Sequence, residues 1–235
     1  MIEWVNTGLD YLLILSFKIK MEPLHELQEI RSLMERSTKF LSLSGLSGIA
    51  MGMIALAGAG AAYDQYQTAW APQNGTTYWN LRPGHRQEMA LFLFLDSLSV
   101  LVVSLTLVIV LTARKAYHRG ISVWNSASRR LVGSMAAPLA AGGVFCVALL
   151  FRGPIMLVFP ATLIFYGLAL INAGKHTWKE VTYLGITEIA LGCAAMFVNS
   201  YAALFLFWVA GFGFLHILYG SIMYFRRELN AGMSE

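Results

Sequence analysis

Residues Lys179 to Arg227 read KEVTYLGITEIALGCAAMFVNSYAALFLFWVAGFGFLHILYGSIMYFRR. Two apolar runs, Glu180 to Val198 and Ala202 to Phe225, each enclose one ionisable residue with glycines spaced alike around it. The first holds Gly185, Glu188 and Gly192; the second holds Gly213, His216 and Gly220. On a helix, offsets of minus three and plus four fall on one face, so each polar residue sits on a glycine stripe. In an apolar helix such a stripe is where a second helix approaches closely. The pattern therefore aims Glu188 and His216 into protein and away from lipid. Counted inward from Lys179 and back from Arg226 at 1.5 Å per residue, both lie roughly 14 Å from the inner boundary. A short turn joins the two runs, so the helices are expected to be neighbours and Glu188 to meet His216 in a hydrogen bond or ion pair. Such a pair orients two helices, handles a proton or contacts a ligand.

Composition sets the class around this stretch. With 57% hydrophobic and 13% charged residues in 235, the chain is too apolar for a water-soluble domain. A helix needs roughly 20 apolar residues to span the hydrocarbon, and six runs qualify: 41–63, 89–113, 131–151, 154–173, 180–198 and 202–225. The expectation is an all-α integral membrane protein, one domain over 41–227, with six transmembrane helices in three hairpins.

Orientation follows from the basic residues. Lys18, Lys20, Arg31, Arg36, Lys39, Arg114, Lys115, Arg119, Arg129, Arg130, Lys175, Lys179, Arg226 and Arg227 share one side; Arg82, Arg86 and Arg152 have the other. Cytoplasmic loops keep Lys and Arg, which puts both termini inside. The net charge of +4 is then a matter of topology and attraction to lipid headgroups, and no nucleic-acid partner is needed to explain it.

Ahead of the first span, residues 1–20 form an extension whose apolar run, Tyr11 to Phe17, lacks the basic start of a signal peptide; a translation start at Met21 and an interfacial segment are the two readings. Residues 21–40 carry Leu24, Leu27, Ile30 and Met34 at helical spacing between charges, which predicts an amphipathic cytoplasmic helix. It would lie on lipid, pair with a second copy in a homo-oligomer, or receive a cytoplasmic protein partner. In the first span Gly45, Gly48 and Gly52 repeat the glycine spacing, and Gly58 to Ala62 are all small. The outer loop carries Trp70, Tyr78 and Trp79, aromatics of the interface. The second span holds Asp96, about 10 Å below the outer boundary. It is expected to pair with Arg152, in the turn between spans three and four. Residues 228–235 form a short cytoplasmic tail.

Spans three and four also resemble five and six. Gly133 and Gly185 open the two hairpins after similar dipeptides, and Tyr166-Gly167 and Tyr219-Gly220 close them. Ala136 and Leu163 occupy the places of Glu188 and His216, so the polar pair belongs to the last hairpin only. Cys146 and Cys193 read as small buried side chains, and His25, His85, His118 and His176 are scattered over loops and termini. No metal-ligand spacing and no cofactor fingerprint is present, so neither a metal nor a cofactor is expected. Gly45-Leu46-Ser47-Gly48 matches the GxSG around the nucleophile of rhomboid intramembrane proteases, with His216 as a base at similar depth. The rhomboid serine lies on a later span, and its oxyanion partners have no counterpart here.

Three stretches carry a longer likeness: Glu29 to Gly48, Pro160 to Asn172 and Gly211 to Tyr224. From Met21 onward the chain resembles a family of uncharacterised bacterial six-span inner-membrane proteins, and its glycine-punctuated hairpins are faintly similar to HdeD-like acid-resistance membrane proteins. The resemblance implies a bacterial inner-membrane location; it brings no activity, cofactor or catalytic residue. Two functional classes follow. One is a non-enzymatic scaffold, sensor or stress-related protein of the envelope. The alternative is a small proton-linked transporter in which Glu188 and His216 exchange a proton and Asp96 serves the outer side. An intramembrane Ser/His hydrolase stands behind both.

Overall fold

The computed structural model describes residues 45–70, 83–118, 120, 122–152 and 154–226. The extension 1–20, the amphipathic helix expected at 21–40, the tail 228–235 and the loop positions Tyr78 and Trp79 lie outside them. Among the described residues every regular element is a helix. Helix α1 (Gly45–Gln65) runs into a π turn, Tyr66–Trp70. Then come α2 (Pro83–His118) and α3 (Ser126–Arg152). A 3-10 turn, Ile155–Leu157, leads into α4 (Val158–Gly174), which is followed by α5 (Lys179–Ala195). The last rod is built from α6 (Tyr201–Trp208), a π segment (Val209–Leu215) and α7 (His216–Tyr224).

The helix ends follow from local chemistry. Lys115 and His118 in the last turn of α2 suit the negative end of the helix dipole. The chain then reverses at Gly120, whose φ of +65° an L side chain rarely adopts and whose N–H donates to Tyr117 O at 3.0 Å. A reciprocal cap starts α3: the Ser128 N–H donates to Asn125 Oδ1, and the Asn125 N–H donates to Ser128 Oγ, both at 2.9 Å. Pro160 falls in the first turn of α4, where its missing N–H breaks no helical hydrogen bond.

Five helical stretches are long and apolar enough to cross a membrane: Gly45–Thr68, Gln87–His118, Ser126–Arg152, Ile155–Gly174 and Tyr201–Tyr224. The run expected as the fifth of six spans forms only 17 helical residues in α5, about 25 Å at 1.5 Å per residue. It stops at Ala195 because Met196 to Ser200 turn the chain into α6. On α2 and α3, large apolar side chains such as Leu91, Leu101, Val144 and Phe151 stand exposed, which a lipid solvent tolerates and water does not.

Glycines set the packing. Helix α1 lies on α7, on the π segment and on α2, while α4 lies between α3 and α5. A methyl group on Gly48 would stand 3.0 Å from Gly220 Cα; one on Gly52 would stand 2.6 Å from Gly213 O. Gly45 faces the Tyr224 and Gly220 backbone in the same way. Between α4 and α5 the approach is reciprocal, since a methyl on Gly167 or on Gly185 would lie 2.7 Å from the other's carbonyl oxygen. Gly192 continues that face against Leu163 and Pro160. The stripes therefore serve two separate contacts, Gly185 and Gly192 with α4, Gly213 and Gly220 with α1. Contact between α5 and α4 is more extensive than contact between α5 and the last rod.

One expected contact is not formed. Asp96 makes no ion pair with Arg152. Because α2 packs on α1 and α3 packs on α4, Asp96 turns its carboxylate to Gly58 of α1, and Arg152 stands exposed at the end of α3.

Candidate functional site

Three helices bring Tyr166 of α4, Glu188 of α5 and His216 of α7 together. The glycine contact between α4 and α5 closes one side. On the other, Gly211 of the π segment makes room for the Glu188 carboxyl: a methyl there would stand 2.5 Å from Glu188 Oε2 and 2.5 Å from Leu163 Cδ2. Glu188 is fully buried and His216 nearly so. On the α1 side, Gly48 faces the His216 carbonyl oxygen and Gly52 faces Gly213 O and Ile217.

The hydrogen bonds fix how the imidazole is protonated. His216 Nδ1 is 3.0 Å from Gly211 O. A peptide carbonyl only accepts, so Nδ1 carries a hydrogen and donates it. In the neutral ring Nε2 is then an acceptor, and the Tyr166 hydroxyl, 2.9 Å away, donates to it. Tyr166 also lies 5.4 Å from the His216 ring and 5.2 Å from Phe212, centroid to centroid, which holds the phenol in place. Glu188 Oε1 is 3.5 Å from Nδ1, too far for a good hydrogen bond, and neither of its carboxyl oxygens has a hydrogen-bond partner. Leaving a buried polar group unsatisfied costs about 1–3 kcal/mol, and more when it is charged.

The π segment is part of the site. His216 Nδ1 reaches back to Gly211 O, a carbonyl inside the segment five residues earlier. Such segments interrupt α-helices mostly where function requires it. The sequence pattern placed His216 on the Gly213 and Gly220 stripe of a regular helix. In the structure those glycines face α1, while the imidazole points toward α4 and α5.

The remaining sequence candidates fall elsewhere. Asp96 lies on α2 against α1, apart from Glu188 and His216. Ser47 is buried, but both ring nitrogens of His216 are engaged by Tyr166 and Gly211, so no Ser47–His216 hydrogen bond forms. Among the described residues, no three His, Cys, Asp or Glu side chains gather as a metal set would. Sequence reasoning missed Tyr166 and Gly211 as members of the site. The available signal was a tyrosine inside an apolar run, a phenol that needs a partner once buried. A phenol, an imidazole and a carboxyl in succession can pass or store a proton, and none of them is an activated nucleophile for covalent chemistry. The chain matches no protein-family model, no curated protein and no solved structure with which it was compared.

Proposed function

We propose that the chain is a non-enzymatic multi-pass protein of a bacterial inner membrane that responds to protons at Tyr166, His216 and Glu188. In this reading α5 also crosses the membrane and completes the six spans, both termini are cytoplasmic, and lipid covers the bare faces of α2 and α3. The observation that carries it is the unpartnered, fully buried Glu188 carboxyl beside an N–H that already has another acceptor. Ionisable groups inside a membrane are costly and are kept where they do something.

The response follows from two acceptors competing for one hydrogen. Nδ1–H lies 3.0 Å from Gly211 O and 3.5 Å from Glu188 Oε1. An ionised carboxylate is the stronger acceptor, so losing the Glu188 proton draws the hydrogen away from Gly211. Gly211 O then loses its bond from the imidazole, which weakens the π geometry around it. Returning from π to α geometry shifts the register by one residue, which rotates α6 against α7 by about 100°. The other titratable group facing the site is Tyr166, which accepts or donates with the change.

The test is hydrogen exchange over residues 209–216 of the full chain in lipid nanodiscs, from about pH 5 to pH 8, the range in which histidine chemistry responds. After correction for the intrinsic pH dependence of exchange, wild type should show a protection change in this segment, and Glu188→Gln should abolish it while staying folded. A segment whose protection is the same at both ends of the range refutes the reading. Sealed proteoliposomes with a pH gradient separate it from proton-linked transport: flux in wild type that Glu188→Gln and His216→Ala both lose would replace a sensor with a transporter.

A further inference from the structure

A row of aromatic rings leads to the Tyr166 hydroxyl. Trp208 ends α6, Phe212 lies one turn on in the π segment, and Tyr166 of α4 stands beside them. The Trp208 and Phe212 ring centroids are 4.9 Å apart, and those of Phe212 and Tyr166 are 5.2 Å apart. All three side chains are half-buried, so the row connects the outer face of the bundle with its interior. At the inner end the phenol donates to His216 Nε2 at 2.9 Å, and the other side of the imidazole faces Gly211 O at 3.0 Å and Glu188 Oε1 at 3.5 Å. A proton response needs the phenol, the imidazole and the carboxyl. It has no use for the indole.

Indole and phenol are the two aromatic side chains that give up a single electron most readily. A phenol that loses only an electron becomes a radical cation, and an apolar interior disfavours that charge. Where a base stands at hydrogen-bond distance, the proton leaves with the electron and the ring remains as a neutral radical. Tyr166 has such a base in His216. By contrast, the Tyr63 hydroxyl accepts from the Gln67 amide at 2.8 Å, and the Tyr201 hydroxyl has no hydrogen-bond partner. Once the proton has crossed, the positive charge rests on the imidazolium, whose Nδ1–H already points at Gly211 O with a Glu188 oxygen beside it. The same three groups that frame the imidazole therefore accommodate its charged form.

We propose that Tyr166 is a redox-active tyrosine that disarms lipid peroxyl radicals, with His216 as its proton acceptor and Trp208 as the point where the oxidising radical meets the row. A peroxyl radical among the acyl chains takes one electron. The vacancy settles on Tyr166, where the O–H bond breaks and a new N–H bond forms at His216 Nε2. The reduced peroxyl anion takes a proton from water at the interface and becomes a lipid hydroperoxide, leaving hydroxide to balance the imidazolium. A radical that propagates through lipid has then been exchanged for one whose oxygen faces His216. This inference rests on the Tyr166–His216 hydrogen bond and not on the proton response proposed above. It is read at a single pH, so the two fail separately.

The experiment generates peroxyl radicals with a lipophilic azo initiator in air-equilibrated nanodiscs of dilinoleoyl phosphatidylcholine that hold the full chain. Freeze-quenched electron paramagnetic resonance reads the tyrosyl radical, and conjugated-diene absorbance reads lipid oxidation. Wild type should give a tyrosyl signal and a lag before dienes accumulate. Tyr166→Phe should lower the signal at least tenfold and remove the lag. His216→Gln keeps an acceptor for the phenol but not a base, and should lower the signal several-fold. Trp208→Phe should slow its appearance several-fold. Tyr183→Phe removes a tyrosine that is 57% exposed on the outer face of α5, and should leave both readouts as in wild type. Circular dichroism checks that each variant is folded. If His216→Gln does not fold, deuterium oxide decides the matter: radical formation in wild type should slow at least twofold, because the phenol proton moves with the electron. Absence of a tyrosyl radical in wild type, a wild-type signal in folded Tyr166→Phe or His216→Gln, or no isotope effect overturns the proposal, and an unslowed Trp208→Phe overturns the entry point.

Discussion

Gly220→Ala tests the glycine packing most directly, with Gly60→Ala as its internal reference. Both changes sit in helices, and each should gain about 1 kcal/mol of helix propensity. They differ in what the new methyl meets. At Gly60 nothing lies within 4 Å. At Gly220 the methyl would stand 2.6 Å from Ile49 N, 2.9 Å from Gly45 O and 2.9 Å from Gly48 C, all backbone atoms that cannot rotate away. Restoring the shortest of these from 2.6 to 3.4 Å parts α1 from α7 by about 0.8 Å. A gap of that size forfeits roughly a quarter to a half of the dispersion energy along the contact. Overpacking of this kind costs roughly 1–3 kcal/mol, and rigid neighbours put it at the upper end. Gly60→Ala should thus be neutral or slightly stabilising, and Gly220→Ala should be about 2–3 kcal/mol less stable than that reference. Reversible unfolding by sodium dodecyl sulfate in mixed micelles, followed by circular dichroism, measures the difference. If the two variants agree within about 0.5 kcal/mol, the scatter expected of unconstrained surface changes, α1 and α7 do not pack through Gly220.

Tyr166→Phe leaves His216 Nε2 without its donor in a dry site and should cost about 1–3 kcal/mol in the same titration, whereas an unchanged midpoint would mean that the phenol does not bond the imidazole. Asn125→Ala removes the reciprocal cap of α3 and should cost about 0.5–2 kcal/mol, with faster hydrogen exchange confined to the first turn after residue 125. Unaltered exchange there would refute the cap.

Apolar run length made the helical, membrane-type architecture legible, because lipid leaves few other ways to satisfy a backbone. The spacing of glycines was equally visible, but not their direction. Offsets of three and four say that residues share a face, not which neighbour the face meets: α5 packs back on α4 before it, and α7 packs on α1, which is distant in sequence. The π segment was invisible for a related reason. Gly211 and Gly213 look like ordinary packing glycines, and nothing local states that one helix residue is accommodated in excess. That single residue redirects His216 away from its glycines and toward Tyr166. Pairing Asp96 with Arg152 assumed that α2 touches the span after it, whereas α2 finds its contact on α1, the span before it. Charge complementarity alone could not reveal that choice. Tyr166 was read as a marker of hairpin similarity, although a phenol in an apolar run is a donor in search of an acceptor.

Helix lengths around the bundle are unequal, and the bilayer must answer for it. At 36 residues, α2 is about 54 Å long, more than twice the roughly 25 Å of α5. The apolar part of α2, residues 89–113, is about 37 Å long, and a hydrocarbon layer near 30 Å matches neither it nor α5. On the α2 side the helix leans or the lipid chains stretch; beside α5 the layer thins or its surface dips toward the shorter helix. Each ångström of disagreement costs a fraction of a kcal/mol, so the two sides together set a preferred membrane thickness and a preferred lean for the molecule. In the proposed six-span arrangement, lipid composition is thereby a variable that the fold registers mechanically, through the difference between α2 and α5.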